Sequence, residues 1–367
     1  LDISTLRFRA NSQYRVVPYD RLTEEDLAKF SRQAIKKDGF GLLIPQLRTG
    51  LQAKEIDADT ALLFFTLREP GPIPKSLLAR MDDTERQRIA DFVLDGILEV
   101  EETDKFISGA AATPIFSKLE RDTNHPLIRL SEDALYHAAT LKSTDQTWLA
   151  TNLYRYNTLP ATRGWRQKLA DDEEFLSLSK LAAGWKHYSL RKGWYYFQPY
   201  YQTNRKTQAK LYISPKPAAL PEVLHVVAGT FAQVEITGFK VGSGAYGILR
   251  PDKLVAYFPD IERLQKAGSL LVSRLDGIAV QGVPFSAPLD KHGLLSWGID
   301  PRSNEAGEVR SWRQWIVEHL ASSLSNVVGQ TETDGIPAWQ TALARLELDG
   351  IDPDRFKPST KWIETYA

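Results

Sequence analysis

Ala209-Lys210-Leu211-Tyr212-Ile213-Ser214, Val234-Glu235-Ile236-Thr237-Gly238-Phe239-Lys240-Val241 and Lys253-Leu254-Val255-Ala256-Tyr257-Phe258 are three apolar runs in close succession. Each alternates, or is rich in β-branched and aromatic residues, and so predicts a half-buried strand. Side chains alternate across a strand, which places Lys210, Tyr212 and Ser214 on one face and Leu211 and Ile213 on the other. In the second run Val234, Ile236 and Gly238 define a buried face, and strict alternation puts Lys240 on it. A bulge at Gly238 would turn that lysine outward. Tyr257 shares a face with Lys253 and Val255. Cations and phenols at this spacing suggest a site for an anionic substrate.

Between the second and third runs, Gly242-Ser243-Gly244-Ala245-Tyr246-Gly247 matches G-x-G-x-x-G. A dinucleotide fold needs a helix directly after that motif. Here Ile248-Leu249-Arg250-Pro251-Asp252 follows, and neither H-R-D nor D-F-G occurs to support a kinase. The segment therefore predicts a hairpin connection whose backbone amides are available to an anion. Arg250 has two readings: a turn arginine paired with Asp252, or a clamp that grips a phosphate through two nitrogens. Arg313, between Trp312 and Trp315, either covers apolar surface with its stem or joins that clamp. Lys210 has the plain alternative of a strand-edge lysine.

Outward from this block the chain turns helical. Gly193 to Tyr201 is aromatic-rich and predicts one more strand. Helices are predicted from Ser131-Glu132-Asp133 to Tyr156, from Asp171 towards Tyr188, and over 260–276, 311–326 and 339–348. Residues 1–110 predict a helix over 59–67 and another from Asp82 to Asp95-Gly96. A strand over 97–100 and a turn at 103–105 follow, the order of a winged helix. The expected class is α+β: a winged-helix-like domain (1–110), a helical connector (111–190), and an antiparallel-sheet domain flanked by helices (191–367).

Composition narrows the functions. The 367 residues suffice for two or three domains, and 43% hydrophobic content builds real cores. Acidic and basic residues balance at 46 each, so any cationic site is local. The first domain's helices mix acids with bases, which argues against nucleic acid. Cysteine is absent, which removes disulfides, thiolate metal sites and a cysteine nucleophile. The six histidines are scattered without metal-ligand spacing. No signal peptide or membrane span is read, and a cytoplasmic location is expected.

Asp57 to Leu67, the helix from Glu85 and Leu94-Asp95-Gly96-Ile97-Leu98-Glu99 resemble the peptide-recognition element of enzymes that modify ribosomally made peptides. The small peptide chaperone of pyrroloquinoline quinone biosynthesis is of this kind. Further on come Ala209 to Ile213, Phe239-Lys240-Val241, Leu249 to Tyr257, Gly282-Val283-Pro284-Phe285, Ser296 to Pro301 and Ser311-Trp312-Arg313. Together they resemble the lyase family of class V lanthipeptide and thioamitide biosynthesis, related to a type III secreted effector of plant pathogens. That family is distantly similar to phosphothreonine lyases. The resemblance implies β-elimination of phosphate from phosphoserine or phosphothreonine, giving dehydroalanine or dehydrobutyrine, without metal or organic cofactor. It implies Lys240 as base and Lys210, Arg250 and Arg313 as a phosphate clamp, with Tyr257 as a candidate for orienting the site. Tyr212 stands where the phosphothreonine lyases carry their acid histidine, as general acid or enolate stabiliser. The implied partners are a precursor peptide and a separate kinase-like protein, with no nucleic acid and no membrane. The alternative is a non-catalytic leader-peptide scaffold serving a partner kinase or cyclase.

Overall fold

The computed structural model describes residues 2–28, 39–46, 53–118, 124–171, 177, 182, 184–190, 193–200, 207–302, 310–327 and 335–366. The chain forms two compact units. One comprises Leu1–Glu120, Leu141–Gln146 and Ser322–Asp349; the other comprises Arg121–Thr140, Thr147–Ala321 and Gly350–Ala367. Helix and sheet are mixed throughout, as expected of an α+β protein.

The first unit holds strands β1 (Arg7–Ala10), β2 (Tyr14–Pro18), β3 (Gly41–Pro45), β4 (Lys54–Ile56), β5 (Gly71–Pro72), β6 (Leu98–Glu102) and β7 (Lys105–Ile107). They build a four-stranded sheet in the order β5-β1-β6-β7 and a three-stranded sheet β2-β3-β4. The helix Ala58–Thr66 starts where the Asp57 carboxylate accepts from the Thr60 amide at 2.7 Å. The helix Asp83–Leu94 starts on a reciprocal capping box between Asp82 and Glu85. Asp95 and Gly96, the latter at φ +74°, stop it and lead into β6. Phe8, Leu43, Phe64, Ile89, Val93 and Val100 form the centre of this unit's core. The helix Ala338–Leu348 brings Leu348 to that core and Arg345 to Asp95, 2.7 Å away.

The second unit is built on β8 (Lys186–Leu190), β9 (Trp194–Gln198), β10 (Ala209–Ile213), β11 (Gly238–Gly242), β12 (Leu254–Phe258), β13 (Ala287–Pro288) and β14 (Leu295–Ile299). All neighbours are antiparallel, in the order β13-β14-β10-β12-β11-β9-β8. One face is apolar, with Leu211, Ile213, Phe239, Val241, Leu254, Ala256 and Phe258 all buried. The helices Leu220–Phe231 and Ile261–Arg274 lie against each other, and the second packs on β10 and β12. Phe231 meets Phe239 and Phe258 at 5.5 and 5.8 Å between ring centroids, which fixes the first helix to this face. At the β14 side of the opposite face, the helix Trp312–Val327 begins over Gly298. A Cβ on that glycine would lie 2.3 Å from the Trp312 ring. Gly298→Ala is accordingly expected to destabilise the protein by ~1–3 kcal/mol through overpacking, read as a lower urea midpoint.

Several elements differ from the sequence expectation. Ser131 does not cap a helix: the helix is Pro126–Thr140, and the Ser131 hydroxyl donates to the Leu127 carbonyl one turn back at 2.9 Å. A second helix, Gln146–Arg155, follows a break at Lys142, whose φ is +46°. Asp171 ends the helix Arg163–Asp171 rather than starting one, and Tyr188 belongs to β8. Part of the predicted helix between them lies outside the described residues. The second run becomes a strand only at Gly238, because Val234 and Ile236 are buried in the turns that follow the helix Leu220–Phe231. The glycine segment does connect the antiparallel strands β11 and β12, as expected, but not as an open loop. It contains a short helix, Gly244–Ile248, packed so tightly that a Cβ on Gly242 would lie 2.3 Å from the Gly247 backbone. Among the described residues, no helix is long and apolar enough to cross a membrane.

Candidate active site

Strand pairing alone assembles the site. Lys210 lies opposite Tyr257 on β12 and opposite Gly298 on β14, while Tyr212 lies opposite Val255 and Ser296. Lys240 lies opposite Val255 on one side and Tyr196 on the other. Directly opposed residues of an antiparallel pair share a face. Lys210, Tyr212, Lys240 and Tyr257, with Trp194 and Tyr196 of β9, therefore project together from the face opposite the apolar one. The register at Gly238 is regular, so no bulge turns Lys240 away. Lys240 is half-buried on this second face, and the buried face that Val234 and Ile236 were expected to define is not a strand face at all.

Each cation has distinct neighbours. The Lys210 ammonium forms an ion pair with Asp300, two residues beyond Gly298 on the same side. Asp300 also accepts from the Trp312 amide at 2.8 Å, capping the helix that carries Arg313. Arg250 grips Asp252 through Nε and Nη2, both at 2.8 Å. The turn-arginine reading of Arg250 is thus present in the structure. Its guanidinium also stacks over Trp194 at 5.3 Å and Tyr154 at 5.7 Å. Lys240 differs from both. Among the described residues no carboxylate pairs with it, and its Nζ lies 4.4 Å from the Trp194 ring centroid and 6.0 Å from that of Tyr257.

Arg313 was expected as a phosphate ligand and is placed otherwise. It is 1% exposed. Its Nε donates to the Pro284 carbonyl at 3.0 Å and its Nη2 to the Tyr154 carbonyl at 2.9 Å. Nη1 lies 3.1 Å from Asp252 Oδ2, an ion pair without hydrogen-bond alignment. Every nitrogen thus faces the protein, and Asp252 holds two guanidiniums at once. Tyr154 also donates to Asp252, at 3.3 Å. Tyr212 lies on the shared face but is 3% exposed, packed with Val255 and Val283.

These surroundings set the protonation states. Burial, and then the charges of Lys210 and Arg250, lower Lys240 to about 8 against the opposing pull of Asp252 and Asp300. Burial alone would raise Asp252, but the hydrogen bonds from Arg250 and the charges of Arg313, Arg250 and Lys240 hold it well below the usual carboxylate range. Burial raises Tyr212 and Tyr257, so both remain protonated phenols at neutral pH.

A second lysine is depressed beside the site. Lys253 is 0% exposed, donates to the Pro215 carbonyl at 2.8 Å and to Gln281 Oε1 at 2.7 Å, and is lowered by burial to about 7. Gln281 in turn donates to the carbonyls of Asn157 and Leu249, at 2.6 and 3.2 Å, which ties three loops together. An amine lowered from 10.5 to about 7 leaves the unfolded chain holding a proton that the folded chain lacks. Stability is therefore expected to rise between pH 7 and 9. Urea midpoints across that range check this, and Lys253→Met should flatten the slope.

Sequence reasoning passed over Asp300, Trp194 and Tyr154 as members of the site. Asp300 and Trp194 take their places only through the pairing of β14 with β10 and of β9 with β11. Tyr154 arrives from the separate helix Gln146–Arg155. The alternation of Trp194 with Tyr196 was readable, but the strand beside them was not.

No protein-family model matches the chain, and no curated protein matches it. Solved structures do resemble it. An effector protein of Pseudomonas syringae pv. tomato is 17% identical over 63% of this chain and 97% of its own, with a TM-score of 0.42. The chain is also similar to the phosphothreonine lyase SpvC, the effector protein from Salmonella, at 14% identity over 56% of this chain and 99% of that one, TM-score 0.30. It is likewise similar to the type III effector/phosphothreonine lyase OspF from Shigella flexneri, at 11% identity over 44% of this chain and 99% of that one, TM-score 0.30.

Proposed function

We propose that the second unit is a lyase that eliminates phosphate from phosphoserine or phosphothreonine in a ribosomally made precursor peptide. The products are dehydroalanine or dehydrobutyrine and hydrogen phosphate. The observation that carries this reading is Lys240: an amine lowered to about 8, without a carboxylate partner among the described residues, on the same sheet face as Lys210. A Cα proton beside an amide is weakly acidic, so its removal needs a neutral base held in place. At about 8, roughly one such amine in ten is neutral at pH 7. An ordinary lysine would be almost wholly protonated.

Charge fits the second half of the reaction. Once Lys240 has taken the Cα proton, four cations, Lys210, Lys240, Arg250 and Arg313, stand against the two carboxylates Asp252 and Asp300. The surplus of two positive charges suits a phosphate dianion. In this reading Lys210 and Arg250 hold the phosphate, while Arg313 acts through Asp252 by fixing the Arg250 fork. The first unit takes the precursor's leader segment. Its β2 and β4 are the outer strands of a three-stranded sheet, and an extended peptide adds to such an edge as a further strand. Because the lyase consumes a phosphate ester, a separate kinase must supply it.

The test is to incubate the protein with chemically phosphorylated and unphosphorylated copies of a Ser/Thr-rich precursor peptide and follow both by mass. Loss of phosphoric acid from the phosphorylated peptide alone supports the lyase. Tight binding with the phosphopeptide left intact replaces it with the scaffold reading. Lys210→Met is expected to raise KM for the phosphopeptide at least tenfold while leaving a measurable kcat, since one phosphate contact is lost and the base remains.

A further inference from the structure

We infer that the Tyr257 hydroxyl donates the proton to the departing phosphate, an assignment that rests on the lyase reading above. Elimination needs two proton positions, a base at Cα and a donor at the ester oxygen on Cβ. The donor must therefore stand between the base and the phosphate cations, and be open to the ligand. Tyr257 meets each condition. It sits on the central strand β12, directly opposite Lys210. The Lys210 and Lys240 ammoniums lie 5.4 and 6.0 Å from its ring centroid. It is half-buried, and its hydroxyl makes no hydrogen bond with another described residue. The other phenols are less suited. Tyr212 is 3% exposed and packed with Val255 and Val283. Tyr154 already donates to Asp252 at 3.3 Å. The Tyr196 oxygen lies over Gly238, where a Cβ would be 2.6 Å from it. Burial, then the charges of Tyr196 and Asp300, keep Tyr257 a protonated donor rather than a base.

The step balances without a further reactant. Neutral Lys240 takes the Cα proton, and that electron pair forms the Cα–Cβ double bond. The Cβ–O bond breaks, its pair leaves with the phosphate, and the Tyr257 proton moves to the former bridging oxygen. Hydrogen phosphate departs. The Lys240 ammonium then returns its proton to the Tyr257 oxyanion, directly or through a water, and both residues regain their starting states.

A leaving group that needs no proton separates this role from packing. Two peptides are compared, one carrying phosphoserine and one carrying S-phosphocysteine, whose thiophosphate leaves as a more stable anion. Tyr257→Phe keeps the ring, and its binding is checked with a phosphonate analogue that cannot eliminate. The expected result is a loss of at least a hundredfold in kcat on phosphoserine, less than tenfold on S-phosphocysteine, and unchanged phosphonate affinity. Tyr212→Phe should lose whatever it loses equally on both peptides. Equal effects of Tyr257→Phe on the two peptides, or a phosphoserine-selective loss in Tyr212→Phe, would overturn the assignment and leave the lyase standing. Failure of the unsubstituted protein to act on either peptide would remove the lyase reading and this assignment with it.

Discussion

Lys240→Ala is expected to lower kcat for dehydroalanine formation about a thousandfold, the magnitude typical of removing a positioned general base. Phosphopeptide affinity should change little, because the phosphate is held by Lys210 and Arg250. The pH profile carries a second, independent readout. The base is the neutral amine, so kcat/KM of the unsubstituted protein should rise with pH and level off above about 8. Lys210 is among the charges that depress that amine. Lys210→Met should therefore move the inflection upward, an effect that lost substrate contact alone does not produce. Lys240→Arg should not rescue activity, since a guanidinium stays charged at every accessible pH. A turnover number unchanged in Lys240→Ala would end its assignment as base.

Asp252→Ala is expected to cost about 3–5 kcal/mol of folding stability, the largest such effect of any substitution in the site. The carboxylate is 4% exposed and faces both Arg250 and Arg313. Removing it leaves the Arg313 guanidinium buried without its counter-charge, and frees Arg250 from the two bonds that orient it. The pH dependence follows from the direction of the shift. A carboxyl held below its unfolded value contributes stability that is fully present above about pH 4, the unfolded value, and lost as pH falls below it. The acid-unfolding limb should therefore be shallower in Asp252→Asn, and urea titrations at pH 7 and pH 3 measure the difference. Equal stability losses at the two values would show that the charge of Asp252 is not what holds this corner together.

Much of the second unit is legible in the sequence. The alternation around Lys210 and Tyr212 and the β-rich run to Phe258 became β10 and β12, at nearly the bounds the pattern implied. The helices over Ile261–Arg274 and Trp312–Val327, and Ala338–Leu348 of the first unit, followed from their apolar spacing. Caps were less reliable. Asp82 and Asp57 are caps, as their spacing to the helix amides allows, whereas Ser131 satisfies its hydroxyl inside a helix. A serine can bond the carbonyl four residues back as readily as a free amide ahead of it, and only the surrounding chain selects between them. The start of β11 was misjudged for a related reason: Val234 and Ile236 are buried by a turn, and burial alone does not make a strand.

What the sequence by itself determined is which side chains share a face within one strand, because alternation is a property of the backbone and needs no partner. Lys210 with Tyr212 was settled at that level. Which strands lie side by side was decided only by the tertiary structure, since pairing depends on how the apolar face is buried and not on local geometry. That choice set Lys240 against Tyr196, Lys210 against Tyr257, and Asp300 within reach of Lys210. It also turned Arg313 inward onto Asp252, because a guanidinium on a buried helix start must find its acceptors within the protein.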